Sequence, residues 1–222
     1  QRQRGGHMHM RAVIFDLDGV VVDTAKYHYL AWRKLAAELG FVFDEANNER
    51  LKGVSRMTSL EIVLETGKIQ NLSMEEKIAL ADRKNGYYLD MVSTIDESEI
   101  LPGIPAFLER LRAEGYKIAL GSASKSGGMI LKKLGLMPFF DAVVDGNLVE
   151  RAKPDPQVFT KAAEMLGVPC KDCVVIEDSA AGIAAAAAGG MKSVGIGSSE
   201  ILGNADIVVP DTAELPGLDL PK

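Results

Sequence analysis

Two aspartates two positions apart, Asp16 and Asp18, close the apolar run Val13-Ile14-Phe15 and are followed at once by Gly19. A run that is apolar without alternation reads as a strand buried on both faces of a parallel sheet. In open α/β sheets, ligands bind beyond the carboxyl ends of such strands. The pattern therefore predicts a strand over 12–16 that delivers two carboxylates to a reaction site, with Gly19 letting the chain bend sharply away. Taken alone, the same run also reads as a strand ending in an acidic turn.

Polar residues close other apolar runs as well. A strand predicted over 116–121 ends in Ser122-Ala123-Ser124, and one over 141–144 is followed by Lys153-Pro154. A strand over 173–177 ends in Glu177-Asp178, just before a helix that Asp178 or Ser179 can cap. Asp16, Asp18, Glu177 and Asp178 at one sheet edge repel one another unless a cation joins them. Hard oxygen donors of this kind favour Mg²⁺, which keeps positions for water and substrate phosphate. Ser122 can offer its hydroxyl and nearby backbone N–H groups to phosphate oxygens, and Lys153 a point charge. Each has a plain reading too: Ser122 and Glu177-Asp178 as caps, Lys153 as a surface lysine. Together, on successive strand ends, they point to phosphate chemistry.

These residues need a scaffold, and the pattern supplies one. Helices predicted over 105–114, 126–134, 156–166 and about 179–188 alternate with the strands, and further strands follow at 192–196 and 206–209. Such alternation gives right-handed βαβ units and a Rossmann-like, mostly parallel sheet with helices on both faces. The strand at 12–16 joins that sheet by its apolar character. Residues 25–95 carry no strand pattern. Ala31, Leu35 and Leu39 recur at helical spacing and end at Gly40; Leu60, Val63 and Leu64 form a second stripe closed by Gly67. Ser73 and Glu76 make a capping box that opens a long helix with Leu80, Tyr87, Tyr88 and Met91 on one face. The expected organisation is an α/β core over 10–24 and 97–222, interrupted by a helical bundle over 25–96.

Composition narrows the function. The 222 residues are 47% hydrophobic and 25% charged, ordinary for a soluble globular protein. Residues 1–9 read as an expression scar. Without Arg2 and Arg4 the balance is 23 basic against 31 acidic residues, near −8, which argues against a nucleic-acid partner. No apolar run approaches a membrane span. His28 is the one histidine outside the scar, so His-rich metal sites are excluded and a histidine-based triad would have to use it. Cys170 and Cys173 form a C-x-x-C without a second pair, which fails the ligand set of structural zinc; chance spacing ahead of a strand outweighs a redox motif. A reducing cytoplasm and a monomer are expected.

Asp16-Leu17-Asp18-Gly19-Val20, Ser122, Lys153-Pro154, and Glu177-Asp178-Ser179 with Gly182-Ile183 resemble the haloacid dehalogenase superfamily of phosphotransferases, over nearly the whole chain. The helical insertion has the position of that superfamily's cap. The resemblance implies that Asp16 is a nucleophile forming an aspartyl phosphate and that Asp18 is the general acid/base. It implies that Mg²⁺ is held by Asp16, the Asp18 carbonyl, Glu177 and Asp178, and that Ser122, Ala123 and Lys153 bind the transferring phosphate. Splitting the transfer through a carboxylate gives two easier steps, and the cation and Lys153 neutralise charge.

Within the superfamily, Thr24-Ala25-Lys26-Tyr27-His28 with Ala31-Trp32, then Leu51-Lys52-Gly53-Val54-Ser55-Arg56, and Arg83-Lys84-Asn85, resemble the cap of the β-phosphoglucomutase family. So does Ser122-Ala123-Ser124-Lys125. The resemblance implies substrate contacts from Thr24, His28, Trp32, Leu51 and Lys52, and from Gly53, Val54, Ser55, Arg56 and Ser59. Lys84, Ser124, Lys125 and Ser126 join them. Residues 52–56 would close over the sugar and hold its non-reacting phosphate, with Arg56 forking onto it. His28 would hydrogen-bond Asp18 when the cap shuts. Ser126 departs from the family, whose best-known members carry asparagine there. Plain readings stand beside these: His28 and Arg56 as solvated helix residues, Trp32 as a core anchor. The leading expectation is a mutase interconverting β-D-glucose 1-phosphate and D-glucose 6-phosphate through β-glucose 1,6-bisphosphate. The alternatives are a sugar-phosphate phosphatase and a phosphometabolite-binding protein without catalysis; the Asp16/Asp18 pair argues against the last.

Overall fold

The computed structural model describes residues 9–51 and 55–222. In chain order, β1 (Ala12–Phe15) is followed by the helices α1 (Ala25–Glu38), α2 (Glu45–Glu49), α3 (Arg56–Thr66) and α4 (Met74–Val92). Then come α5 (Ile104–Ala113), β2 (Lys117–Gly121), α6 (Gly127–Lys133), β3 (Ala142–Val144), α7 (Gln157–Leu166) and β4 (Cys173–Glu177). The chain closes with α8 (Ala180–Ala188), β5 (Lys192–Ile196), α9 (Ser199–Leu202) and β6 (Ile207–Val209). It separates into two compact units, Thr24–Ile95 and the rest. Among the described residues, no helix is long and apolar enough to cross a membrane.

In the α/β unit a six-stranded sheet runs β3-β2-β1-β4-β5-β6, every pair parallel. The chain winds outward from β1 in both directions, so β1 and β4 lie at the centre, where the strand order reverses. That reversal opens a crevice at the carboxyl ends of the strands. Successive side chains of β1 point to opposite faces. Ala12 and Ile14 join a core with Val158, Phe159, Ala162, Ala185 and Ala186 of α7 and α8. Phe15 packs edge-on against Phe107 of α5, ring centroids 5.7 Å apart. Helices therefore cover both faces, which is why β1 is apolar throughout and β4 is apolar up to its last residue, Glu177; all of Ala12–Phe15 and Cys173–Glu177 is buried. The alanine run of α8 supplies small side chains where helix and sheet approach closely, with Ala185 and Ala186 fully buried.

The C-x-x-C falls where β4 begins. Cys170 lies in a 3₁₀ turn, Cys173 is the first strand residue, and both thiols are free. Burial, then Cys170 and Asp172 nearby, pushes the Cys173 thiol up to about 12.

In the helical unit, Trp32, Leu35 and Ala36 of α1 meet Leu60, Val63 and Leu64 of α3 and Leu80 and Ala81 of α4, with Phe43 from the α1–α2 connection. The capping box at Ser73 and Glu76 is formed, Ser73 N donating to Glu76 and Glu76 N to Ser73. The buried stripe of α4 differs from the expected one. Leu80, Ala81, Lys84, Tyr88 and Val92 face inward, whereas Tyr87 turns its hydroxyl to Glu38 of α1. Gly67 is required for a different reason than a left-handed turn. Its φ is ordinary, Lys68 takes the positive φ, and a Cβ on Gly67 would lie 2.4 Å from the Phe41 ring.

Candidate active site

The centre of the α/β unit carries the first constellation. β1 ends at Phe15, one residue before the expected boundary, yet Asp16 N still donates to Ile176 O at 3.0 Å, which keeps Asp16 in line with β4. Gly19 then turns with φ +76°, and a Cβ there would lie 1.9 Å from the Asp178 carboxylate. Glycine at this position is what lets the β1 and β4 loops close on each other. Gly182 serves similarly at the first turn of α8, where a Cβ would lie 1.9 Å from the Glu177 carboxylate.

Lys153 links the two central strands. Its Nζ lies 2.9 Å from Asp16 Oδ1 and 2.8 Å from Glu177 Oε2. Glu177 is fully buried; its other oxygen accepts from Asp178 N at 2.9 Å, Ser179 N at 3.1 Å and Ser179 Oγ at 3.2 Å. Ser179, rather than Asp178, caps α8, accepting from Gly182 N at 3.0 Å. Asp178 is thereby left exposed and turned toward Asp16 and Glu177, and carboxylate oxygens of the three lie within 4.8 Å of one another. Asp18 is not part of that cluster, and its Oδ1 is buried with no hydrogen-bond partner among the described residues.

The electrostatics match the crowding. Burial, then the charge of Glu177, pushes Asp16 up to about 7, with Lys153 opposing. Burial and then Asp16 push Asp18 up to about 7 and Asp178 up to about 6. Burial works against the Lys153 ammonium, but Asp16 and Glu177 outweigh it and hold the amine above its ordinary range. One lysine thus neutralises part of a carboxylate cluster that still carries excess negative charge. The donor set is hard oxygen and suits a small divalent cation such as Mg²⁺.

Ser122 follows β2, is buried, and donates its N–H to Val144 O at 2.9 Å. A relay of serines runs outward from it: Ser124 N donates to Ser122 Oγ at 3.1 Å, and Ser126 N to Ser124 Oγ at 3.2 Å. With its oxygen already accepting, Ser122 keeps its hydroxyl hydrogen to donate. Ala123 and Lys125 are exposed on the same turn, and Ser126 precedes α6 without capping it.

The helical unit carries the second constellation. Lys84 of α4 is buried, its Nζ 2.8 Å from His28 Nδ1 and 4.6 Å from the centre of the Trp32 ring. His28 stacks on Tyr88, centroids 3.9 Å apart. Burial, then Lys84 and Arg56, lowers the imidazole to about 3, so it is neutral; accepting from Lys84 at Nδ1 leaves Nε2–H as its donor. Burial and then Arg56 lower Lys84 to about 7. Arg56 opens α3 and donates to Asn85 Oδ1 at 3.2 Å. Trp32 is a core residue, and Leu51 packs against the same cluster. Ser55 caps α3 and Ser59 is buried one turn on. Thr24 is buried, with no partner for its Oγ1 among the described residues. Lys52, Gly53 and Val54 lie outside the described residues.

Two side chains with a part in this geometry were not singled out by sequence reasoning. Tyr88 was assigned to the core but also stacks on His28, and Gln157 bonds the loop before Lys153. Neither belongs to a motif, and only the fold reveals their partners.

A family model for haloacid dehalogenase-like hydrolases matches residues 10–190. The chain is 44% identical over 207 residues to a β-phosphoglucomutase of Bacillus subtilis (strain 168), covering 93% of this chain and 92% of the relative. It superposes on the crystal structure of a β-phosphoglucomutase from Clostridium difficile with TM-score 0.83 and 44% identity, over 93% of each chain. A phosphorylated carbohydrates phosphatase of Thermotoga maritima is 30% identical over 187 residues, 83% of this chain and 84% of that protein.

Proposed function

We infer, for a chain that belongs to the haloacid dehalogenase-like hydrolase family, that it is a phosphomutase interconverting β-D-glucose 1-phosphate and D-glucose 6-phosphate. The reaction runs through an aspartyl phosphate and β-glucose 1,6-bisphosphate. The observation that carries the mutase over the phosphatase is the 44% identity to a β-phosphoglucomutase along 93% of the chain, which takes in both units.

In this reading Asp16 attacks the phosphate, and Lys153 holds Asp16 in place while sharing the negative charge of the transferring group. Ser122 and the N–H groups of its turn, Ala123 included, donate to the phosphate oxygens. Asp18, pushed up to about 7, takes the proton of the attacking sugar hydroxyl and returns it to the leaving one. Asp16, Glu177, Asp178 and the Asp18 carbonyl would hold Mg²⁺, which supplies charge neutralisation to the transferring phosphate. Glu177 has a further task, since its two oxygens tie Lys153 to the loop that carries Asp178.

The helical unit serves as the cap over the sugar. Arg56 and Lys84 bring two basic groups together beside the neutral His28, and no ion pair to Lys84 is found among the described residues, which suits the phosphate that is not being transferred. The partner is a small phosphorylated sugar, and the enzyme works as a cytoplasmic monomer.

The test is an assay with β-glucose 1-phosphate, Mg²⁺ and trace β-glucose 1,6-bisphosphate, following glucose 6-phosphate and free phosphate together. Isomerised sugar should far exceed released phosphate. Stoichiometric phosphate release would make the protein a phosphatase.

A further inference from the structure

We propose that Gln157 is a positioning residue for phosphoryl transfer, clamping the loop that carries Lys153 and braces the phosphate-contacting turn. The inference rests on the reading of Asp16 and Lys153 given above. Between β3 and α7 the chain has no regular element, and side-chain bonds add to a few backbone bonds in setting its shape. Gln157 Oε1 accepts from two successive backbone groups of that loop, Glu150 N and Arg151 N, each at 2.8 Å. Gln157 itself is held, because its own N–H donates to Asp155 Oδ1 at 2.9 Å and its neighbours Val158 and Phe159 are buried against the sheet. Lys161, one turn further along the same face of α7, donates to Leu148 O at 2.7 Å.

The other end of the loop meets the turn after β2. Gly146 N donates to Ser124 O at 3.0 Å, and Asn147 Nδ2 to Lys125 O at 3.0 Å. A Cβ on Gly146 would lie 2.3 Å from Ala123 O, so the fit there leaves no room for a side chain. One loop therefore joins α7 to both parts that grip the transferring phosphate, and Lys153 follows Arg151 by two residues. Lys153 Nζ must stay within 2.9 Å of Asp16 and 2.8 Å of Glu177 at once. Among the described residues, Gln157 Oε1 is the acceptor that holds Glu150 N and Arg151 N. Displacing a reacting group by about 1 Å can cost on the order of 100-fold in rate.

The test compares Gln157→Met, which keeps the side chain's length and removes the acceptor, with Gln157→Glu, which keeps it. Assayed as full chains with β-glucose 1-phosphate, Mg²⁺ and trace bisphosphate, Gln157→Met should lose about 10- to 100-fold in kcat. KM should stay within about twofold, because the proposed sugar grip lies in the helical unit. Gln157→Glu should recover most of the loss. Should Gln157→Met melt below the assay temperature, Lys161→Met removes the second tether on the same face and must show the same kcat-selective loss. An unchanged kcat, a loss that Glu does not restore, or a loss mainly in KM would overturn the proposal. Asp16→Asn, assayed alongside, separates the two readings: wild-type turnover in that variant would remove the parent mechanism whatever Gln157 does.

Discussion

Each unit of the molecule withdraws a lysine from solvent, Lys84 fully and Lys153 in large part, and the two lysines live in opposite electrostatic surroundings. Lys153 lies between Asp16 and Glu177, and those carboxylates hold its ammonium above the ordinary range despite burial. Lys84 is buried against Trp32 and Tyr88 with His28 and Arg56 for polar company, and its pKa falls to about 7. The first site is charge-matched by its own chain, with carboxylates in excess. The second is left with excess basic character. The first arrangement favours a cation and the second an anion, so each unit by itself carries one half of the electrostatics that the proposed reaction needs. The cost falls on stability, since a buried charge without a partner is expensive.

The largest effect that would break this contrast concerns Asp16. Asp16→Asn keeps the volume and removes the proposed nucleophile, and turnover should fall by at least about 10⁴-fold with the fold retained. Near-normal glucose 6-phosphate formation by the purified variant would sink the assignment.

Next comes Lys153→Met. It leaves Asp16 and Glu177 facing each other in a buried site, and removing one partner of a buried pair typically costs about 3–5 kcal/mol. Urea unfolding of the variant at neutral pH should show that loss, together with lost turnover. A variant as stable as the wild type would mean that the carboxylates shed their charge freely, and the pairing would then be incidental.

The sequence carried some of this picture and hid the rest, for identifiable reasons. Strands buried on both faces have to be apolar along their length, so β1 and β4 and the carboxylates at their ends were legible from local pattern. The order β3-β2-β1-β4-β5-β6 was not read, because periodicity says nothing about which strands are neighbours. Of the expected α4 face of Leu80, Tyr87, Tyr88 and Met91, Leu80 and Tyr88 do turn inward; Tyr87 and Met91 do not, because apolar counting passes over a buried lysine and Lys84 occupies the position that shifts the stripe. Gly67 does close α3, as the pattern predicts, but the Phe41 ring that excludes a side chain there comes from a different segment and has no local signal. Gln157 left no signal, since a side chain that bonds backbone N–H groups of a loop has no spacing rule to betray it. At the site itself, spacing brings out Asp16, Lys153 and Glu177, which the fold joins through hydrogen bonds, but leaves open whether Asp178 or Ser179 caps α8; Ser179 does, and Asp178 is freed.

The smallest expected effect has the opposite sign and tests the other half of the contrast. Lys84→Met replaces the buried amine with an apolar side chain of similar length. An ordinary lysine titrates near 10.5, and here burial and Arg56 bring it to about 7. Below pH 7 both folded and unfolded chains are protonated, and the cost of burying the charge is present in full. Between pH 7 and 10.5 the unfolded chain binds a proton that the folded chain does not, so wild-type stability rises with pH across that window. Lys84→Met removes the titration. It should therefore be more stable than the wild type by about 1–3 kcal/mol at pH 6.5. That advantage should shrink toward pH 10. His28 does not blur the reading, because its imidazole is already neutral throughout this range. Neither do Trp32 and Tyr88: their ring contacts with the ammonium oppose the predicted gain, so a measured gain is a lower bound on the burial cost. Paired urea melts at the two pH values decide it. A variant less stable than the wild type at pH 6.5 would show that the aromatic contacts and the His28 bond satisfy the lysine, and the helical site would then have no electrostatic vacancy for a phosphate to fill.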